Sequence, residues 1–241
     1  MNKFILIPVI LFFAFNSYSQ SKGEIKYKLK VNLGKSLSAS QLAYKALLPK
    51  EIITDFIYAF NDKEVRVLKE DAPKKKENIV IQMGGLNKEE IFLNLNTFTK
   101  CKYRIINNKH YHAESKIHFP EIEYLNEFKT ILGYKCQKAK MKNPNNVRFE
   151  IWVAKKFPIT FSPIQDLAIK NAAILRIDSQ KLNYEVTSIE FGKYKKENFT
   201  KPKKSRKITN EQMMDLEEEA LEDMRSKFNG NGNVKVQSIQ L

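Results

Sequence analysis

The sequence is poor in the residues that mark several protein classes. Its 241 residues include only 8 glycines, 8 prolines, 2 cysteines and 1 tryptophan. So little glycine and proline excludes collagen-like and Pro/Gly-rich chains. The apolar run at residues 4–15 is too short for a transmembrane helix, which takes about 20 residues to cross a bilayer.

The chain has instead a substantial apolar content and a strong positive charge. Apolar residues make up 42% of it, with 16 Phe and 10 Tyr, and their burial can offset the entropy of ordering. Lys and Arg number 42 against 27 Asp and Glu, a formal net charge of +15. We expect one globular domain with appendages, which needs neither disulfides nor metals to form a core.

The N-terminus has the pattern of an export signal. Lys3 precedes the apolar run, and small residues stand at Ser17 and Ser19. This predicts a secretory signal peptide, residues 1–19, cleaved before Gln20. No cysteine stands there to carry a lipid anchor, so we expect a periplasmic or outer-membrane-associated protein of the cell envelope that is neither lipid-anchored nor integral to the membrane.

The dominant period along the rest of the chain is two, which is typical of half-buried antiparallel strands. It predicts a mainly β fold: a single large antiparallel sheet, curved or partly closed as a half-barrel, in a β domain spanning residues 20–192. Asn107-Asn108 is predicted to form a two-residue hairpin turn. The predicted strands are 23–31, 52–60, 64–68, 78–83, 90–98, 101–106, 109–115, 134–141, 147–154, 172–177 and 184–191.

Two helices are predicted to accompany the sheet. The N-terminal one spans residues 38–48 and is stopped by Pro49. The C-terminal one, residues 209–229, opens with a Thr209-to-Gln212 capping box and has an apolar stripe that includes Met213 and Leu216. A basic linker at 193–208 precedes it, and a tail at 230–241 follows it. The helix is expected to cover the sheet or to bind a partner or a membrane surface.

Cys101 and Cys136 have two interpretations in an exported protein. In an oxidising compartment they are predicted to form a disulfide, which would close a long loop. The alternative is two separate buried thiols on neighbouring strands. Their spacing fits no metal site, and neither local sequence resembles that of a nucleophile.

A family resemblance rests on residues 131–139, which read ILGYKCQKA, and on residues 148–162, which read RFEIWVAKKFPITFS. These stretches resemble the central region of the GLPGLI family of secreted Gram-negative proteins, and the first strand is also similar. The naming motif is degenerate, because residues 168–175 have neither its glycines nor its proline. The resemblance implies location and architecture only, and a sheet around a lipid-sized groove is a fold analogy.

The three histidines are the main candidates for a metal site. On a strand, His110, His112 and Glu114 point to the same face, which is a workable set of ligands for Zn or Cu. The alternative is an exposed strand face with no ligand. We expect no other cofactor.

No catalytic motif is present: the sequence has no G-x-S-x-G, no H-E-x-x-H, no Walker loop and no C-x-x-C. A non-catalytic protein is therefore favoured, and no residue is assigned as nucleophile or base.

The basic segment before the C-terminal helix has eight cationic residues and one acid between 193 and 207. Its predicted role is attraction to anionic envelope lipids, through Lys201, Lys203, Lys204, Arg206 and Lys207. The alternative is that the acidic helix neutralises it. Export argues against a nucleic-acid partner.

Together these observations predict a secreted, non-catalytic binding or carrier module of the cell envelope, with a hydrophobic or lipid ligand, or an outer-membrane protein, as candidate partners. The alternatives are a periplasmic metal-binding protein that uses His110 and His112, and a hydrolase whose site the sequence does not show.

Overall fold

The computed structural model describes residues 21–36, 49–69, 79–83, 89–142, 147–193, 195–229 and 235–239. It contains α1 (Leu33–Ser36), α2 (Asn210–Asn229) and a 3-10 turn at Lys196–Phe199. The strands are β1 (Gly23–Asn32), β2 (Glu51–Phe60), β3 (Glu64–Lys69), β4 (Ile79–Met83), β5 (Glu90–Asn94), β6 (Thr99–Ile106), β7 (Lys109–Lys116), β8 (Ile122–Ile131), β9 (Tyr134–Lys142), β10 (Arg148–Ala154), β11 (Ala173–Asp178), β12 (Leu182–Phe191), β13 (Arg206–Lys207) and β14 (Lys235–Ile239).

Twelve of these strands form one sheet, in the order β13-β7-β6-β5-β3-β2-β1-β12-β11-β10-β9-β8. Every neighbouring pair is antiparallel except β13 and β7, which are parallel. The predicted single large antiparallel sheet is thus confirmed. The sheet is not closed, since β13 and β8 are its two edges. The parallel pair β4 and β14 forms a separate two-stranded sheet.

The first strand, β1, lies at the centre of the sheet between β2 and β12. Its apolar side chains alternate as the sequence predicts: Ile25, Tyr27 and Leu29 are all buried. Gly23 has a steric role, because a Cβ there would lie 2.3 Å from the carbonyl oxygen of Glu190 on β12. No larger residue fits without moving one of the two strands apart.

The main core lies on one face of the sheet, under the loop that joins β10 to β11. Phe161 of this loop lies 5.6 Å from Tyr27 and 5.0 Å from Tyr58, centroid to centroid. The Tyr27 hydroxyl donates to the Ile174 carbonyl at 2.6 Å, and the Tyr58 hydroxyl donates to the Pro163 carbonyl at 3.0 Å. Each buried hydroxyl therefore has an acceptor, and burial raises both tyrosine pKa values well above the ordinary one.

Helix α2 packs against β6 and β7. Met213 and Ala220 are buried on Ile106, Tyr111 and Ala113 of those strands. The helix begins with the predicted capping box: Gln212 N–H donates to Thr209 Oγ1 at 3.1 Å, and Thr209 N–H donates to Gln212 Oε1 at 3.0 Å. The C-terminal helix and its role of covering the sheet are confirmed. The predicted helix at residues 38–48 lies outside the described residues.

Three strands, β8, β13 and β14, were not predicted. Strand β8 is an edge strand with mostly exposed side chains and a register shift against β9 between Tyr124 and Phe128. Because both of its faces are largely in solvent, its apolar residues do not alternate, and the period of two is lost. The predicted turn at Asn107-Asn108 is confirmed, with φ of 49° and 61°.

Candidate functional site

A cleft opens on the sheet face opposite the main core. Val65, Val67, Ile91 and Leu93 point into that core, so the alternate residues Arg66 and Glu90 point to the other face. The cleft has a volume of about 380 Å³. Its lining residues are Arg66, Glu90, Tyr103, Arg104, Ile105, His110, Tyr111, Glu197, Thr200, Lys201, Pro202 and Ser205.

One wall of the cleft is residues 195–208, here called the strap. The strap crosses the sheet from the 3-10 turn at Lys196–Phe199 to β13. Strand β13 aligns Arg206 with Tyr111 of β7, and the Ile208 N–H donates to the His112 carbonyl at 3.0 Å. The segment predicted as a linker is therefore hydrogen-bonded to the edge of the sheet.

Arg66 joins the strap to strand β5 on the other side of the cleft. Its Nη2 lies 3.0 Å from Glu90 Oε2, and its Nη1 donates to the Asn198 carbonyl at 2.7 Å. The guanidinium carbon stands 5.2 Å from the centre of the Phe92 ring, while Lys201 Nζ stands 5.6 Å from the same ring. These cations leave Phe92 only 1% exposed although it lies outside the main core.

Arg104 links strand β6, which borders the cleft, to helix α2. Its side chain is 3% exposed, with Nη2 at 3.1 Å from Glu89 Oε2 and Nε at 2.7 Å from Glu217 Oε1. Lys102 Nζ also lies 3.3 Å from that Glu217 oxygen. Because a guanidinium this buried is costly without carboxylate partners, Glu217 fixes both the Arg104 side chain and the helix against β6.

The aromatic part of the cleft is built on Tyr103. Its ring stacks on His112 at 5.4 Å and meets Phe92 edge-on at 5.7 Å. Burial, with a smaller contribution from the hydrogen bond to Cys101, raises the pKa of Tyr103 well above its ordinary value. The hydroxyl therefore stays protonated at neutral pH.

The predicted metal ligands lie on one strand, but each of them makes different contacts. His110 is exposed at the cleft, His112 Nδ1 lies 2.9 Å from Ser205 Oγ, and Glu114 is paired with Lys207. Within the described ranges, no group of three or more His, Cys, Asp or Glu side chains could hold a metal ion. His118 is also exposed, and it lies beyond the end of β7.

The two cysteines are free thiols in the structure, so the predicted disulfide is not formed. Cys136 belongs to the main core, whereas Cys101 lies beside Tyr103 on the strap face, so the sheet separates them. Burial raises the pKa of the Cys136 thiol to about 11 and also raises that of Cys101.

The cationic residues of the basic segment separate into two groups. Lys201 is paired with Glu64 of β3, and Lys207 with Glu114 of β7. Lys203, Lys204 and Arg206 are exposed. The carboxylates that pair with Lys201 and Lys207 belong to the sheet. The acidic helix, which the sequence suggested as the neutralising partner, does not supply them.

Sequence reasoning missed the charged residues in and beside the cleft, chiefly Arg66, Glu90, Arg104 and Glu217. Each is a charged residue at a position where an alternating strand or an amphipathic helix ordinarily exposes one. No local pattern marks them, because their partners come from distant parts of the chain. One local indication was the high density of lysine in the strap. The sequence does not show which carboxylates those lysines pair with.

Comparison with known proteins supplies the family. The model of the family described as "N-glycanase peptide, N-terminal domain" matches residues 55–217, more than half of the chain and all of the cleft lining. The chain belongs to this N-glycanase N-terminal-domain family. No curated protein matches the chain.

Two solved structures of PNGF-II, in the C2 and P21 space groups, have the same fold as this chain. The TM-scores are 0.56 and 0.54, with 16% and 17% sequence identity. Each covers 83% of this chain, but this chain covers only 33% and 34% of theirs. The chain thus spans about a third of the length of the proteins that it matches.

These findings correct the resemblance to the GLPGLI family, since the family model and the PNGF-II structures identify an N-glycanase family instead. The ILGYKCQKA stretch, on which the resemblance was most specific, forms the β8–β9 hairpin. Leu132 and Gly133 have positive φ there, 45° and 85°. The stretch therefore has the residues that a tight turn requires, and a turn of this kind does not identify a family.

The non-catalytic carrier interpretation is also wrong. The N-glycanase family favours the alternative of a hydrolase whose site the sequence does not show. The main-core face, where a lipid groove was expected, is packed with the chain's own Phe157, Ile159 and Phe161. Among the described residues, no helix is long and apolar enough to cross a membrane.

Proposed function

We propose that this protein takes part in the hydrolysis of N-linked glycans and that the cleft beneath the strap contacts the sugar. The observation that carries the proposal is the N-glycanase family match over residues 55–217. Because this chain spans about a third of the PNGF-II structures, the hydrolytic activity is proposed from the family, and the sugar contact from the cleft.

The chemistry of the cleft supports a carbohydrate ligand. A sugar ring has apolar C–H faces and a rim of hydroxyl groups. Tyr103 and His110 offer ring surface, while Arg66 and Glu90 offer charged donors and acceptors. The volume of about 380 Å³ is within the range of small-molecule sites.

Two carboxylates line the cleft, Glu90 and Glu197. Hydrolysis needs a general acid or base within hydrogen-bond reach of the bond that breaks. Glu90 already lies 3.0 Å from the Arg66 guanidinium, so we assign it the role of holding that arginine and a sugar hydroxyl. We assign no catalytic residue within this chain.

The test compares a peptide that carries one N-linked glycan with the same peptide lacking it. We expect the glycopeptide to bind at least about tenfold more tightly, which is about 1.4 kcal/mol. Mass spectrometry of the same mixture should record free glycan. Equal affinity for both peptides, with no glycan released, would overturn the proposal.

We also propose that the protein is exported. The support is the sequence of residues 1–19, with its basic residue, apolar run and small residues, which lie outside the described part of the chain. Protein recovered from its own host should begin at or near Gln20. An intact mass that includes residues 1–19 would contradict this.

A further inference from the structure

The basic segment between residues 193 and 207 is partly neutralised by the sheet. Lys193 lies 2.9 Å from Glu24 and 3.3 Å from Glu190, while Lys201 and Lys207 pair with Glu64 and Glu114. Glu24 has a side chain only 8% exposed, so its pairing with Lys193 is well shielded from solvent. Three of the eight cations therefore attach the segment to the sheet.

Four of the other cations are lysines in two adjacent pairs, Lys195 with Lys196 and Lys203 with Lys204. All four are exposed, and none makes an ion pair within the part of the chain that the structure describes. Arg206 differs from them, because it lines a small cleft together with Asp215 of α2. The two pairs, here called the strap lysines, are the exposed lysines of the segment that make no ion pair in the described chain, and the one acid of the segment, Glu197, lies beside the first pair.

The strap lysines are also outside the sugar cleft. The strap contributes Lys201 to its lining, and that lysine is bound to Glu64. Cations that are exposed and outside the lining of a pocket fit a diffuse negative surface better than a single bound anion. The ion pairs on either side hold the strap in place, so its lysines reach that surface with little loss of chain entropy.

We propose that the strap lysines dock this protein on an anionic lipid bilayer. Polybasic segments are attracted to anionic membranes within about one Debye length of the surface. The apolar side of the fold is not involved, because the strap lies on the face opposite the main core. The docking is independent of the glycan proposal: a protein that binds no sugar would still dock.

The experiment measures co-sedimentation of the protein with vesicles of phosphatidylcholine containing about one quarter phosphatidylglycerol. The test variant replaces Lys195, Lys196, Lys203 and Lys204 with Gln. The control variant replaces four exposed lysines elsewhere, Lys30, Lys50, Lys140 and Lys142, and so has the same net charge. Thermal melting of both variants verifies that the fold is kept.

At low salt we expect the test variant to lose at least about tenfold in vesicle affinity and the control less than about threefold. At high salt all three proteins should bind alike and weakly. Equal losses in the two variants would show a net-charge effect and overturn the proposal. Unchanged vesicle binding of the test variant would also overturn the proposal. So would a test variant that loses binding to an anionic polysaccharide but keeps its binding to the vesicles.

Discussion

On one face of the sheet, Tyr27, Tyr58 and Phe161 pack together and are each at most 2% exposed. On the opposite face, the strap is held by Lys201 and Lys207, which pair with carboxylates that are 20% and 49% exposed. The first arrangement depends on burial, which salt does not weaken, and the second on charge, which salt screens. The core face should therefore set the stability of the fold, whereas the strap face should respond to salt and pH.

The largest effect should come from the core face. Phe161→Ala removes the ring that packs on Tyr27 and Tyr58, and we expect it to lower the free energy of unfolding by about 3–5 kcal/mol. Urea unfolding followed by tyrosine and tryptophan fluorescence measures this. The loss should be the same at low and high salt, and a loss that disappears in high salt would show that the core face also depends on charge.

The next effect concerns the buried charge that joins β6 to α2. Glu217→Gln takes one carboxylate from Arg104, and we expect a loss of about 2 kcal/mol because the guanidinium stays buried. Hydrogen exchange should become faster in α2 before it does so in β1. Glu218→Gln, on the exposed side of the same helix, is the control and should change little. If both variants behaved alike, Glu217 would not fix the helix.

A smaller effect tests a single hydrogen bond in the core. Tyr27→Phe removes the hydroxyl that donates to the Ile174 carbonyl and should cost about 1 kcal/mol. Tyr124→Phe, at a residue that is 38% exposed, should be close to neutral. Thermal melting of the two variants side by side gives the difference.

The smallest effect is a pH dependence of the strap. The hydrogen bond from Lys207 holds the pKa of Glu114 below its ordinary value of 4.5. This contact therefore stabilises the strap above that value and is lost as the pH falls through the lower, folded-state pKa. Hydrogen exchange at residues 206–208 should speed up in acid before exchange in β1 does. In Glu114→Gln, strap exchange should already be fast at neutral pH.

How much the sequence reveals follows the same division between the two faces. Strand β1 and the capping box of α2 were predicted because their signals are local: alternation in one, and a Thr209–Gln212 pair in the other. The strap face was not, because its ion pairs join residues far apart in the chain, such as Lys201 and Glu64. A cation in a strap does not specify which carboxylate it will meet.

The candidate site was unpredictable for a related reason. Arg66 and Glu90 lie on different strands, and the strap carbonyl that Arg66 binds comes from Asn198. His110, His112 and Glu114 did share a strand face, as alternation requires, but Ser205 and Lys207 of the strap occupy two of them. Spacing within one strand predicts which side chains share a face, and it says nothing of what covers them.

A crystal structure of the protein soaked with the chitobiose core of an N-linked glycan would show directly whether the cleft binds sugar. We expect sugar density in the cleft, with a ring against Tyr103 and a hydroxyl within hydrogen-bond distance of Arg66 or Glu90. The strap should stay in place, since its ion pairs form without ligand. Sugar bound elsewhere on the chain, with this cleft occupied only by solvent, would show that the cleft is not the sugar site.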